Sequence, residues 1–277
     1  MNWILLLTFC LVLSSINAVE LYKFVKHPKD RGAMCLDGSA VGAYIHEGKG
    51  ENKDKFLVHF CGGGLCGDDS LNDTIDNCYN RSFTMFGTST IYPPFFDFDD
   101  FGVLSTNKEK NPVFWDWTKV FAMYCDGGVH EGNRPDPIAY KGKNLYFRGA
   151  ANTREQFYYL DKHYDFYNKD TIVITGLSAG GVATYLWTDY VQQRTKTSKV
   201  YGIPDSGMFL TDFDTPLINK QVFLNRFLNL HKVVGTPTDD DDIPPPVLQC
   251  IKETDNVTYC ISTTDYLDNV KSPLFMI

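Results

Sequence analysis

The sequence predicts an α/β fold, a mostly parallel sheet flanked by helices. Three observations carry this expectation. Short β-branched and apolar runs at residues 56–60, 120–124 and 171–175 alternate with longer stretches whose apolar residues recur at helical spacing. Each run closes shortly afterwards on glycine, as strands feeding tight loops do. The 277 residues are 43% hydrophobic and 22% charged, which supplies one large core and excludes disordered, collagen-like and coiled-coil chains. The formal net charge of −8 argues against a nucleic-acid or anionic-membrane partner, because both need basic patches.

The elements follow in order. Residues 3–13 form an apolar run too short for a bilayer span, which takes about 20 residues. Ser14, Ser15, Asn17 and Ala18 follow, so residues 1–18 are expected to be a signal peptide cleaved after Ala18. Residues 56–60 read as a strand ending in Gly62-Gly63-Gly64, and residues 120–124 as a second strand ending at Cys125-Asp126-Gly127-Gly128. Residues 153–167 place Phe157, Leu160 and Tyr164 on one helical face. Residues 171–175 are a buried parallel strand, 176–181 a turn and 182–193 a helix. Residues 200–203 form a strand closing on Pro204-Asp205-Ser206-Gly207. Phe223, Phe227, Leu230 and Val234 set a helix over 220–234, and 273–277 form a last core strand. The acids Asp239 to Asp242 lie in a proline-rich loop and read as solvated, since they lack the alternating oxygen ligands and the glycine of an EF-hand loop. No later run reaches 18 apolar residues, so no membrane span is expected.

Cys10 falls in the leader. Cys35, Cys61, Cys66, Cys78, Cys125, Cys250 and Cys260 remain, an odd set without CxxC spacing, and in an oxidising compartment they are disulfide candidates. Asn72, Asn80 and Asn256 begin N-x-S/T sequons, which fits secretion into the extracellular space and glycosylation.

Gly176-Leu177-Ser178-Ala179-Gly180 is a G-x-S-x-G sequence between a β-branched strand and a helix, the context of a nucleophile elbow. Such a turn lifts Ser178 above the sheet, and the Ala179 amide at the helix start faces a developing oxyanion. Cys61-Gly62-Gly63-Gly64-Leu65 also follows a strand, and its glycines can turn backbone amides inward to complete an oxyanion hole. A serine needs a base. The elbow's usual chain order is Ser, acid, His, and only His231 follows Ser178; His27, His46, His59, His130 and His163 come too early. Ser178–His231–Asp205 is therefore the one conventional triad available, although His231 reads better as a packing residue of its helix.

The ordered motifs resemble the pectin acetylesterase/Notum family of secreted carboxylesterases. The stretch from Met34 to Tyr44 is similar to the family's opening "CLDGS" segment, Cys61 to Cys66 to "EGGGWC", and Phe86-Gly87-Thr88-Ser89 to "LGSS". Gly102 to Ser105, Asn111-Pro112 and Phe114 to Trp117 resemble "GILS…NP.FYNWN", and Tyr124 to Gly128 resembles "RYCDGA". Asn144 to Gly149 resembles "LYFRG", Gly176 to Gly181 "GCSAGG", and Asp205 to Asp212 "DAGFFLD". These stretches cover nearly the whole chain after the leader.

The resemblance implies an α/β-hydrolase-like domain over residues 19–277. Ser178 is then the nucleophile, and the amides of Gly64, Leu65 and Ala179 are the oxyanion donors. Its disulfides would be Cys35 with Cys125, Cys66 with Cys78 and Cys250 with Cys260, with Cys61 left over. No metal or cofactor is implied, and a monomer is expected. The implied substrate is acetylated polysaccharide such as pectin, or alternatively an acylated protein of the Notum type. Three departures stand out. Cys61 replaces the family's Glu, and Leu65 replaces its Trp. Residues 271–277 resemble the strand leading to the triad aspartate, which with the triad histidine lies further on than Ile277. The expectation is a domain missing its C-terminal part, crippled as an enzyme; the rival reading is a non-catalytic binding protein that retains the elbow.

Overall fold

The computed structural model describes residues 20–277 apart from 30, 68–69, 197–198, 209–230, 232–242, 255–259 and 261. The leader, the 220–234 helix apart from His231, the run Asp239 to Asp242 and the sequon at Asn256 lie outside the described residues.

The strands are β1 (Tyr22–Lys26), β2 (Gly42–His46), β3 (Lys55–Phe60), β4 (Phe95–Phe96), β5 (Thr118–Ala122), β6 (Ile138–Tyr140), β7 (Lys143–Leu145), β8 (Thr171–Leu177) and β9 (Lys199–Asp205). The helices are α1 (Leu71–Arg81), α2 (Gly149–Tyr164), α3 (Ala179–Arg194), α4 (Pro245–Glu253) and α5 (Thr263–Tyr266). Seven strands make one sheet in the order β4-β1-β2-β5-β3-β8-β9, and β6 with β7 forms a separate hairpin. Pairing is parallel from β5 through β3 and β8 to β9. It is antiparallel among β4, β1, β2 and β5. The parallel half is where helices link successive strands, and such crossovers suit continuous apolar runs like Ile172-Val173-Ile174.

The period of two along the strands sorts the core. Phe56, Val58, Phe60, Val120, Ala122, Ile172, Ile174 and Val200 face α2 and α3, where Phe157, Leu160, Leu186 and Trp187 cover them. Leu57 and Val173 point to the other face, which Tyr22, Phe98, Leu104 and Trp117 cover. That cover is incomplete at the β8–β9 end, where Leu177 is 48% and Tyr201 39% exposed.

Residues 273–277 run along the outer edge of β9. The amide of Gly202 donates to the Pro273 carbonyl, Phe275 to Gly202, Ile277 to Pro204 and Ser206 to Ile277. Asp189 of α3 sets the entry: its carboxylate accepts the amides of Lys271 and Ser272, both at 2.8 Å, and the Ser272 hydroxyl at 2.5 Å. Disulfides join Cys35 to Cys125, Cys66 to Cys78 and Cys250 to Cys260, the pairs the resemblance implies, and Cys61 is a buried free thiol.

Several boundaries move. The second expected strand ends at Ala122, because Tyr124 has left the ladder to hydrogen-bond the glycine loop. The helix read from residue 153 begins at Gly149, and the one read from residue 182 begins at Ala179, so half the expected turn is helix. Strands β1 and β2 and helix α1 were hidden in the sequence. β1 (YKFVK) mixes lysines with aromatics, β2 is short and opens on glycine, and α1 is polar around most of its surface.

Candidate active site

Ser178 closes β8 and precedes α3, with φ 58° and ψ −117°, a conformation that costs a non-glycine residue on the order of 1–3 kcal/mol. The neighbours hold it there. The Ser178 amide donates to the Asp205 carbonyl at 2.9 Å, and the Ser178 carbonyl accepts the Val182 amide at 3.1 Å as α3 begins. Two glycines make the turn possible. A Cβ on Gly176 would lie 2.2 Å from the Gly180 carbonyl oxygen, and one on Gly180 would lie 2.0 Å from that of Phe60. The Ser178 hydroxyl is partly exposed and has no hydrogen-bond partner among the described residues. Ala179 is buried at the first turn of α3, with the positive end of the helix dipole behind its amide.

The glycine loop after β3 packs against this turn. A Cβ on Gly62 would come within 2.3 Å of the Leu177 carbonyl oxygen and 3.4 Å of Ser178 Cβ, so loop and elbow touch through backbone. Gly63 (φ 145°) would meet the Phe86 ring at 2.5 Å, whereas Gly64 (φ 65°) faces open space. The carbonyls of Cys61, Gly63 and Gly64 accept from His130, Arg81 and Tyr124 respectively. Leu65 is partly buried beside Gly64, and the Cys66–Cys78 disulfide ties the end of the loop to α1. The Cys61 thiol is buried and donates to the Gly62 carbonyl at 3.2 Å. Burial pushes its pKa up to about 12, so it is a protonated packing group rather than a nucleophile.

The structure does not assemble Ser178, His231 and Asp205 into a triad. His231 is buried against the Phe147 ring, with its Nε2 3.9 Å from Cys66 Sγ. Gly128 and Gly132 lie close on its other sides. Burial pushes its pKa down to about 3, so it is a neutral packing residue. The Asp205 carboxylate accepts from the Ser206 hydroxyl at 2.8 Å. His231 also lies with Cys66 and Cys78 in a cluster of the kind that binds metal, but the two sulfurs are joined to each other and offer no thiolate.

Sequence reasoning missed Arg81, Tyr124 and His130. The chain-order argument set His130 aside as too early to be a base, and it is none: burial lowers its pKa to about 4 and its ring serves a backbone carbonyl. The Tyr124 to Gly128 motif was the one available signal.

Comparisons with known proteins agree with this architecture. The family profile described as Pectinacetylesterase matches residues 14–277. Pectin acetylesterase 5 of Arabidopsis thaliana is 31% identical over 269 residues, covering 96% of this chain and 58% of that protein. Palmitoleoyl-protein carboxylesterase notum1 of Xenopus laevis is 31% identical over 189 residues, 65% of this chain and 36% of that protein. A 1.9 Å structure of the Wnt deacylase Notum from Drosophila superposes with a TM-score of 0.75 at 22% identity, over 92% of this chain and 70% of that one. The chain thus spans between 58% and 65% of the length of the plant relatives it matches. No helix among the described residues is long and apolar enough to cross a membrane.

Proposed function

The chain belongs to the pectinacetylesterase family, and from that premise we propose that it carries the nucleophile and oxyanion half of a secreted serine carboxylesterase. The observation that carries this reading is Ser178 held in a strained strand-to-helix turn, its hydroxyl without a hydrogen-bond partner among the described residues, packed directly against a glycine loop whose carbonyls are held away from the site. A base takes the Ser178 proton, and Oγ attacks the acyl carbonyl. The amides of Gly64, Leu65 and Ala179 hold the oxyanion. The tetrahedral adduct expels the alcohol, and water hydrolyses the acyl-enzyme. The substrate class is an acetylated polysaccharide such as pectin, after the names of the plant relatives. A longer acyl ester on a protein, after the Notum names, is the second substrate. Three disulfides and the sequon residues Asn72 and Asn80, exposed on α1, support the secretory route and glycosylation.

One observation favours the non-catalytic reading. No histidine among the described residues hydrogen-bonds to Ser178. Loss of a triad member costs on the order of 10⁴-fold in rate. The deciding experiment incubates the folded 277-residue protein with a fluorophosphonate and assays acetate release from acetylated pectin. Labelling that disappears in Ser178→Ala supports the esterase reading, and added acetate release assigns the substrate. A folded protein that neither labels nor releases acetate supports the binding-protein reading.

A further inference from the structure

We propose that Arg81 and Tyr124, with His130 stacked behind Tyr124, are positioning residues that aim the Gly64 and Leu65 amides at the reacting carbonyl. The inference rests on the reading of those amides as oxyanion donors, and it concerns what points them.

Three donors from three separate segments converge on the glycine loop. His130 Nε2 lies 2.9 Å from the Cys61 carbonyl oxygen, Arg81 Nη1 donates to Gly63 at 2.9 Å, and the Tyr124 hydroxyl donates to Gly64 at 2.8 Å. A trans peptide unit points its C=O and the next N–H in opposite directions, and the described chain has no cis bond. Holding the Gly63 and Gly64 carbonyls inward therefore turns the Gly64 and Leu65 amides outward. Neither amide has a hydrogen-bond partner among the described residues. A Cβ on Gly64 would meet nothing within 4 Å.

Each donor is itself held. The Tyr124 hydroxyl accepts the Val129 amide at 2.9 Å, so its single proton is committed to Gly64. Arg81 also donates through Nε to the Phe86 carbonyl at 3.1 Å. Its guanidinium lies 4.9 Å from the Tyr124 ring and 5.0 Å from the Phe86 ring. His130 is neutral and faces an acceptor, which fixes its proton on Nε2, and its ring stacks on Tyr124 at 4.6 Å. Val129 and His130 both take positive φ, 59° and 61°, in a segment where Gly127 and Gly132 do the same. Two consecutive strained non-glycine residues put the Val129 amide on Tyr124 and the His130 ring on Cys61.

The test compares Tyr124→Phe, which removes one oxygen, with His130→Leu and His130→Gln, the last keeping a donor. Steady-state hydrolysis of a small acetyl ester, fluorophosphonate labelling rates and amide exchange are measured on each. In Tyr124→Phe and His130→Leu, kcat and the labelling rate should fall by about 10–100-fold with KM within about twofold, below the loss of an oxyanion donor outright. Exchange should quicken at residues 62–66 and not in β3 or β8. His130→Gln should recover part of the rate. Unchanged kcat, or exchange that rises evenly across the sheet, overturns the proposal. If the wild type does not label at all, the nucleophile reading fails. The loop exchange still decides the brace, because unaltered exchange at 62–66 in both variants overturns it.

Discussion

The two flanks of Ser178 are built differently. On the β3 side the glycine loop is pinned by a disulfide, by three donors to its carbonyls and by backbone contact with the elbow. On the β9 side Leu177 and Tyr201 are partly open, and the neighbouring 273–277 segment leaves Phe275 70% and Ile277 68% exposed. The braced flank needs only backbone groups and nearby side chains to form an anion site. The open flank brings no histidine among the described residues into hydrogen-bond contact with Ser178. The strained turn at Ser178 is thus held by the parallel half of the sheet.

Three changes would break or sharpen that contrast. The largest effect is expected from Gly62→Val. Its Cβ would sit 2.3 Å from the Leu177 carbonyl, forcing loop and elbow apart. Fluorophosphonate labelling should drop by at least about 100-fold, and stability should fall by about 3 kcal/mol, read by chemical denaturation. Asp189→Ala acts on the other flank. It strips the acceptor from two amides and a hydroxyl at residues 271–272, costing on the order of 2–3 kcal/mol. Limited proteolysis should then cut near residue 271 while Ser178 labelling changes less than about threefold; equal loss of both would make the flanks one cooperative unit.

The smallest effect is on pH. Burial lowers the pKa of His27, His59 and His130 to about 4 and of His231 to about 3, so the unfolded chain binds protons that the folded chain refuses. Stability is unaffected by these groups above about pH 6.5 and is lost as pH falls from there towards 4. Asp126 and Glu131 oppose them: burial raises the pKa of Asp126 to about 7 and that of Glu131 well above the usual carboxylate range, so below about pH 7 both favour the folded state more as pH falls towards 4. With four histidines against these two acids, the thermal midpoint should drop between about pH 6.5 and 4.5. A midpoint that is flat or rises there contradicts the assignment of all four histidines as neutral.

Much of the braced flank was legible. β-branched residues at 171–174 and the glycines around Ser178 specify a strand, a turn and a helix with few alternatives, and the glycine loop follows an unambiguous strand. The brace was not legible, because Arg81, Tyr124 and His130 meet only after α1, β5 and the 126–132 turn have packed. Nothing in local spacing marks a histidine as a donor to a carbonyl 69 positions away. His231 illustrates the opposite limit: chain order made it the one eligible base, and burial beside Cys66 removes it from reach of any substrate.

The strand order has a consequence for synthesis. β5 lies between β2 and β3, so a nascent chain cannot close the sheet until Thr118–Ala122 has left the ribosome. Until then β1 with β2, and β3, are separate pieces. From that point β8, β9 and the 273–277 segment are added outward from β3 in the order they are made, each onto an edge already finished. The elbow therefore comes into being at the growing margin of a sheet whose glycine loop is braced by residues made before it.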